Sequence, residues 1–351
     1  IVTGMHLSPK FGLTVKDIEK DGFLITEKIE MLLSSDTERA IATSMGLGMI
    51  GFAKAYSRLK PDIIVVLGDR FEIYAGVSAA LPFRIPVAHI HGGESSEGVF
   101  DEQLRHAITK MSHIHFAATE KYRKIIIRMG ENPKNVFSFG SPATDNIKRL
   151  KLLDYGDLCK ELNIPRDKKI GVVTYHPVTL EYNSSEKQIV ELLGALKSIE
   201  DIFLVFTLTN ADTSGRIIIK RIDEFVKRYP QAAKLYSSLG HKRYLSLLKN
   251  ASVMIGNSSS GLIEAPSFKL PVVNIGDRQK GRIKASNVID VNECEKEALL
   301  RAINKALSLK FKASLKGLKN PYGKGNVSEK IINVLKRITV NEELIKKSLM
   351  R

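Results

Sequence analysis

The sequence predicts an α/β protein built from two doubly wound, Rossmann-like domains whose parallel sheets face a cleft. Three observations predict it. Short β-branched runs alternate with helix-length periodic segments in both halves of the chain, the pattern of strand–helix–strand crossovers. The 351 residues exceed one domain of ordinary size, and 43% hydrophobic content suffices for sizeable cores. Three polar runs, Leu67-Gly-Asp-Arg70, His89-Ile-His-Gly-Gly-Glu94 and Gly256-Asn-Ser-Ser-Ser-Gly261, sit where buried apolar strands give out. Open parallel sheets bind ligands just beyond the carboxyl ends of their strands.

The elements follow in order. Ile1-Val2-Thr3-Gly4 reads as the end of a strand already under way, and an upstream segment is expected. A helical stretch at 36–59 leads to a strand at 63–67. Helix 71–81, strand 86–90, helix 101–112, strand 114–118, helix 120–129 and strand 136–139 complete the first half. Pro61, Pro86 and Gly130-Glu-Asn-Pro133 punctuate it. A connector is expected from Asp154 to Lys168, marked by Tyr155-Gly156-Asp157 and Ile164-Pro165-Arg166-Asp167. Strands at 170–175, 202–207, 233–236, 252–255, 271–275 and 287–291 then alternate with helices near 185–199, 214–228, 241–250, 261–268 and 293–309. Residues 310–326, with Gly317, Gly323 and Gly325, read as loop, and a last helical stretch runs from about 327 to 350. The expected domains are 1–154, carrying acid–base residues and lacking its first strand, then 155–326, which binds the nucleotide, with 327–351 as a closing helix.

Charge and cysteines narrow the function. The 54 basic and 38 acidic residues leave a net charge of +16. Lysines and arginines are spread along the chain with no basic stripe interleaved with aromatics, so a solvated basic surface outweighs nucleic-acid binding. A positive field also draws in an anionic nucleotide. No apolar run approaches the roughly 18 residues needed to span a bilayer, and no signal peptide is visible. No membrane partner is expected. Cys159 and Cys294 stand alone, which fits the reducing cytoplasm and argues against a zinc site or disulfide framework.

The polar runs carry the chemistry. Asp69 can orient or deprotonate a substrate and Arg70 can contact a phosphate, although an aspartate there equally suits a helix N-cap. His89 and His91, two apart on a strand, are expected to share one face. Glu94, Asp101, Glu102 and His106 add groups tunable for acid–base work, whereas no helix-borne H-E-x-x-H supports a metal. His113 and His115 read as structural. His176, at a strand's carboxyl end before Pro177, suits proton transfer or pyrophosphate binding, with capping as the plain alternative. Gly256 to Gly261 joins a strand to a helix, where free backbone N–H groups and the helix dipole favour a phosphate. It is not a P-loop, and no G-x-G-x-x-G fingerprint supports hydride transfer.

As an ordered set, Gly4-Met-His-Leu-Ser8, Gly68-Asp-Arg70, His91-Gly-Gly-Glu94, Asp101 to Lys110, Tyr175-His-Pro177, Gly256 to Gly261, Gly276-Asp-Arg-Gln-Lys-Gly-Arg282 and Tyr322-Gly-Lys-Gly-Asn326 resemble the bacterial hydrolysing UDP-N-acetylglucosamine 2-epimerase family over nearly the whole chain. The resemblance implies a GT-B architecture whose closing helix crosses back to the first domain. It also implies a two-stage reaction: a base takes the C2 proton as UDP leaves C1, giving a 2-acetamidoglucal. Water then adds at C1 and a proton returns to the opposite face of C2, releasing N-acetylmannosamine for sialic-acid-type biosynthesis.

The resemblance makes Asp69 and Asp101 the leading acid–base candidates. His91, Glu94, Glu102, His106 and His176 join them, with His176 against the diphosphate or sugar. It places His6, Arg70, Asn257, Ser258, Ser259, Ser260, Gly261, Glu264 and Arg278 on the UDP-sugar, Glu264 on the ribose hydroxyls. It implies no cofactor and a homodimer or dimer of dimers. Gly-Asp-Arg and His-Gly-Gly-Glu favour the hydrolysing branch over relatives with Gly-Asp-Thr and Glu-Ala-Gly.

Two departures stand out. The family's opening strand and nucleotide-contacting loop are missing, and some members place a catalytic glutamate at His91. The division of labour between His91 and Glu94 stays open. Three other readings remain: the same reaction on UDP-N,N'-diacetylbacillosamine, a GT-B glycosyltransferase, and a nucleotide-sugar sensor.

Overall fold

The computed structural model describes residues 1–351 apart from 36, 97–99, 178–183, 209–214 and 349–351. The expected first residues of two helices, Asp36 and Ser214, and the end of the closing helix lie outside the described residues. The chain divides into two compact units. The first comprises Ile1–Ser95, Phe100–Asp145 and the residues from Gly325 on; the second comprises Asn146–Lys324 together with Ser96.

In the first unit, β1 (Val2–Thr3) pairs in parallel with β2 (Lys28–Ile29). A second parallel sheet takes β3 (Ile64–Leu67), β4 (Val87–Ile90), β5 (Ile114–Ala117) and β6 (Val136–Ser138) in sequential order. Every residue of β4 and β5 is buried, which is why these strands are largely apolar, with His89 and His115 each hydrogen-bonded inside the unit. Helices Glu38–Leu59, Phe71–Ala80 and Asp101–Met111 cover one side through Phe52, Tyr56, Phe71, Val77 and Ile108. Thr37 begins the first of these by accepting from Ala40 N, a cap worth about 1 kcal/mol.

Another apolar cluster of this unit draws on both ends of the sequence. Ala88, Ile90, Ile114 and Phe116 pack with Val327 and Ile331 of helix Val327–Leu335. Asp145 fixes that helix from outside it: its two carboxylate oxygens accept from Val327 N at 2.8 Å and Ser328 N at 2.7 Å. A carboxylate on two free N–H groups at a helix start is a charge-assisted cap. The expected single closing helix is instead two, Val327–Leu335 and Glu342–Ile345. The β-branched run Ile338-Thr339-Val340 weakens helix between them, and Asn341 starts the second by accepting from Leu344 N.

The second unit is a parallel sheet of β7 (Lys169–Thr174), β8 (Ile202–Thr207), β9 (Ala233–Tyr236), β10 (Val253–Gly256), β11 (Val272–Ile275) and β12 (Val288–Val291). Their spatial order is β12-β11-β10-β7-β8-β9. The chain winds one way from β7 to β9, returns, and winds the other way from β10. The switch point therefore lies between β7 and β10, whose Gly256 and Thr174 are paired.

Two local expectations are corrected. The expected connector contains helix Tyr155–Leu162: Asp154 caps it through Asp157 N at 2.8 Å, and Leu158, Cys159 and Leu162 are buried at helical spacing. The turn residues Gly156 and Asp157 are its first turn. The segment read as loop from 310 begins inside helix Leu309–Ser314, capped by Ser308. Helices Val15–Lys20 and Ala143–Arg149 had no sequence signal that stood out. Among the described residues no helix is long and apolar enough to cross a membrane.

Candidate functional site

The candidate residues form two clusters, one in each unit. In the first, β3 ends at Leu67 and the chain turns through Gly68, whose φ of 83° favours glycine. Arg70, not Asp69, holds the N-cap position of helix Phe71–Ala80, with no side-chain cap. Asp69 instead forms an ion pair with Arg105. Arg70 lies 3.5 Å from Glu72 and stacks on the Phe71 ring.

Arg105 organises this cluster and escaped the sequence reading. It projects from helix Asp101–Met111, is 1% exposed, and donates to Glu102 Oε2 at 2.8 Å and to the Glu94 carbonyl at 3.0 Å. Glu102 Oε1 receives Ser95 Oγ at 2.9 Å and lies 3.0 Å from His106 Nε2. Asp69, Arg105, Glu102 and His106 thus form one continuous polar row. The i, i+3, i+4 spacing of 102, 105 and 106 was the available signal. Asp101 opens the same helix with its carboxyl group buried.

His89 and His91 do not share a face. β4 ends at Ile90, and His91 adopts φ 68°, so strand alternation stops before it. His89 Nε2 lies 2.8 Å from the Gly68 carbonyl and Nδ1 3.2 Å from Thr109 Oγ1. Burial pushes its pKa down to about 3. It is therefore a neutral strut between the Asp69 turn and helix Asp101–Met111. His91 Nδ1 lies 2.5 Å from Glu94 Oε1 and Nε2 3.0 Å from Ser141 Oγ. Gly93 makes this turn possible: at φ 73°, a Cβ there would sit 2.6 Å from the Tyr122 carbonyl. His6 is the exposed residue of the 3-10 turn Gly4–Leu7, 2.8 Å from Thr14 Oγ1.

His113 accepts from Val87 N, and His115 Nε2 lies 3.1 Å from Glu131 Oε2. Glu131 also pairs with Lys110 and Lys347.

The second cluster stands at the switch point between β7 and β10. Gly256, at φ 133°, packs on Thr174 so closely that a Cβ would fall 1.9 Å from its carbonyl oxygen. Asn257 is fully buried, and its amide clasps the His176 backbone from both sides: Oδ1 accepts from His176 N at 2.7 Å, and Nδ2 donates to His176 O at 2.8 Å. Its side chain serves the loop. Gln279 Nε2 donates to the Asn257 carbonyl at 2.8 Å, and Arg278 Nη1 to the Pro177 carbonyl at 2.9 Å.

Ser258 Oγ accepts from Ser260 N at 3.3 Å, and Ser260 Oγ receives the Tyr244 hydroxyl at 2.7 Å. The helix expected at 261–268 is one α turn, Ser260–Ile263, then a 3-10 turn, Ala265–Phe268, because Pro266 lacks an N–H. So short a helix has little dipole, and within it the Ser260 N–H is already engaged by Ser258. Glu264 follows this turn. Tyr244 and Gln279 were also missed, lying outside the glycine-flanked run.

Comparison with known proteins identifies the family and the fold. The family model for UDP-N-acetylglucosamine 2-epimerase matches residues 1–336. A Campylobacter jejuni protein named GDP/UDP-N,N'-diacetylbacillosamine 2-epimerase (hydrolyzing) is 45% identical over 312 residues, covering 89% of this chain and 80% of that one. A Legionella pneumophila UDP-N,N'-diacetylbacillosamine 2-epimerase (hydrolyzing) is 38% identical over 347 residues, covering 99% of this chain and 89% of its own. The GT-B-like fold is shared with the Neisseria meningitidis UDP-GlcNAc 2-epimerase solved with UDP-GlcNAc, at a TM-score of 0.79, 18% identity, and coverage of 96% and 91%.

Proposed function

Because the chain belongs to the UDP-N-acetylglucosamine 2-epimerase family, we propose that it is a hydrolysing 2-epimerase of a UDP-2-acetamido sugar. The observation that carries this reading is the polar row Asp69–Arg105–Glu102–His106, with the His91–Glu94 pair hydrogen-bonded to the same arginine through the Glu94 carbonyl. Such a set of partly buried carboxylates and imidazoles around one guanidinium suits removal of a proton that is not acidic. UDP-N,N'-diacetylbacillosamine is favoured as substrate over UDP-N-acetylglucosamine, supported by the names of both relatives described above.

In this reading Asp69 or Asp101 takes the C2 proton as the C1–O bond to the diphosphate breaks, and the C2 electron pair becomes the C1=C2 double bond. Arg105 keeps the Asp69 carboxylate aimed. The Ser258–Ser260 loop, Arg278 and His176 hold the departing diphosphate, where developing charge most needs fixed donors. Water then adds at C1 and a proton returns to C2 on the other face.

Proton NMR in D₂O with each UDP-sugar tests this. The expected result is free UDP together with a manno-configured sugar deuterated at C2, formed faster from the diacetylated substrate. C2 exchange with UDP retained would assign the non-hydrolysing reaction, and sugar transfer without C2 exchange would assign a glycosyltransferase.

A further inference from the structure

Both ring nitrogens of His91 meet buried polar groups. Nδ1 faces Glu94 Oε1 at 2.5 Å and Nε2 faces Ser141 Oγ at 3.0 Å. His91, Glu94 and Ser141 are 8%, 1% and 1% exposed. An ionised carboxylate only accepts, so in the neutral ring the proton sits on Nδ1, and Nε2 is left to accept the Ser141 hydroxyl hydrogen.

The serine's own setting leaves that hydrogen available. Ser141 Oγ accepts from Ala143 N at 3.3 Å, which occupies a lone pair and leaves the O–H to donate. The Thr144 hydroxyl donates to the Ser141 carbonyl at 2.8 Å and accepts from Gly325 N at 3.1 Å, and Asp145 beside it caps helix Val327–Leu335. The turn that presents Ser141 is therefore tied at several points.

We propose that Ser141 is a positioning residue for His91, completing a Glu94–His91–Ser141 row in which Glu94 sets the tautomer and Ser141 holds the plane of the imidazole. The inference rests on the proton-transfer role of the first cluster. A hydroxyl suits both states of the ring. It donates to Nε2 when the ring is neutral and, by turning about its Cβ–Oγ bond, accepts from Nε2–H when the ring is protonated. Glu94 stays on Nδ1–H throughout. The ring can change charge without moving a heavy atom, which avoids reorganisation during the reaction.

The test uses Ser141→Ala, Ser141→Thr and Thr144→Val in the full chain. Two readouts are taken: UDP release from the UDP-sugar that the wild type turns over, and ¹⁵N spectra of histidine-labelled protein with His91 assigned by His91→Gln. S141A is expected to lower kcat about 10- to 100-fold with KM changed less than about twofold, and to shift the His91 Nε2 resonance, which loses its hydrogen-bond donor, while Glu94 keeps the proton on Nδ1. S141T, which keeps the hydroxyl, restores both. T144V, which loosens the same turn, lowers Tm but leaves the Nε2 resonance and kcat in place.

Wild-type kcat and an unchanged His91 spectrum in S141A would overturn the proposal, as would a T144V defect equal to that of S141A. The spectra need no substrate. A wild type that releases UDP from no UDP-sugar removes the functional reading, while the ring spectrum still decides whether Ser141 sets His91.

Discussion

Replacing Arg105 with methionine is the sharpest perturbation of the first cluster. Methionine keeps most of the buried volume but strands Asp69 and Glu102 without their cation and the Glu94 carbonyl without its donor. Breaking a buried ion pair from one side costs about 3–5 kcal/mol. The two carboxylates here retain 18% and 19% side-chain exposure, so water recovers part of that, and about 3 kcal/mol is the working figure. At 2–4 °C per kcal/mol for a unit of this size, Tm should fall by roughly 6–12 °C. Differential scanning calorimetry reads this directly. Arg105→Lys should fall between, since one ammonium cannot span three acceptors held in different directions. In the active protein R105M should also reduce kcat about 100-fold or more, because Asp69 is no longer aimed. A Tm within about 2 °C of wild type would refute the view that Arg105 organises the cluster.

Three further outcomes are expected. Burial alone would raise the Glu131 carboxyl, but its bonds from His115, Lys110 and Lys347 hold it down at about 2. Its contribution is therefore present above the unfolded pKa of about 4.3 and is lost as pH falls towards 2; acid melting curves of Glu131→Gln should lack that part of the wild-type slope, and parallel curves would count against it. Gly256→Ala should not give a folded second unit, since its Cβ would overlap the Thr174 carbonyl at a φ open to glycine; a native circular dichroism melt would contradict this. Asp145→Ala removes both bonds to the start of helix Val327–Leu335 and should cost about 2 kcal/mol, seen as faster amide exchange in Val327–Leu335 than in Glu120–Arg128; equal protection would refute it.

Much of the fold was legible because most strands are short apolar, β-branched runs bounded by turn residues. Ile63-Ile-Val-Val-Leu67, between Pro61-Asp62 and Gly68, reads as a strand even though Val65 and Leu67 are exposed. Their spatial order was not, since β7 and β10 become neighbours across some eighty residues, and nothing local encodes that. The same division holds in the site. Asp69, Glu94, Glu102 and His106 sat in visible polar runs. Arg105 was hidden because an arginine on an amphipathic helix usually faces solvent, and only its fold partner 36 residues away makes it buried. Ser141, in Gly140-Ser-Pro142, carried no local signal, since its partner His91 lies 50 residues back. The helix at Tyr155 was lost to its own first turn, where glycine and aspartate mimic a linker.

The cap that Asp145 places on Val327 spans 182 residues of sequence. On a ribosome adding about 5–20 residues per second, that interval takes on the order of ten to forty seconds. Throughout it, the sheet face of Ala88, Ile90, Ile114 and Phe116 has emerged without the Val327 and Ile331 that cover it. The first unit is begun first and finished last. During synthesis the nascent chain must carry an uncovered apolar sheet face while the whole second unit is made, so its yield in a cell depends on chaperone capacity and translation speed as much as on final stability.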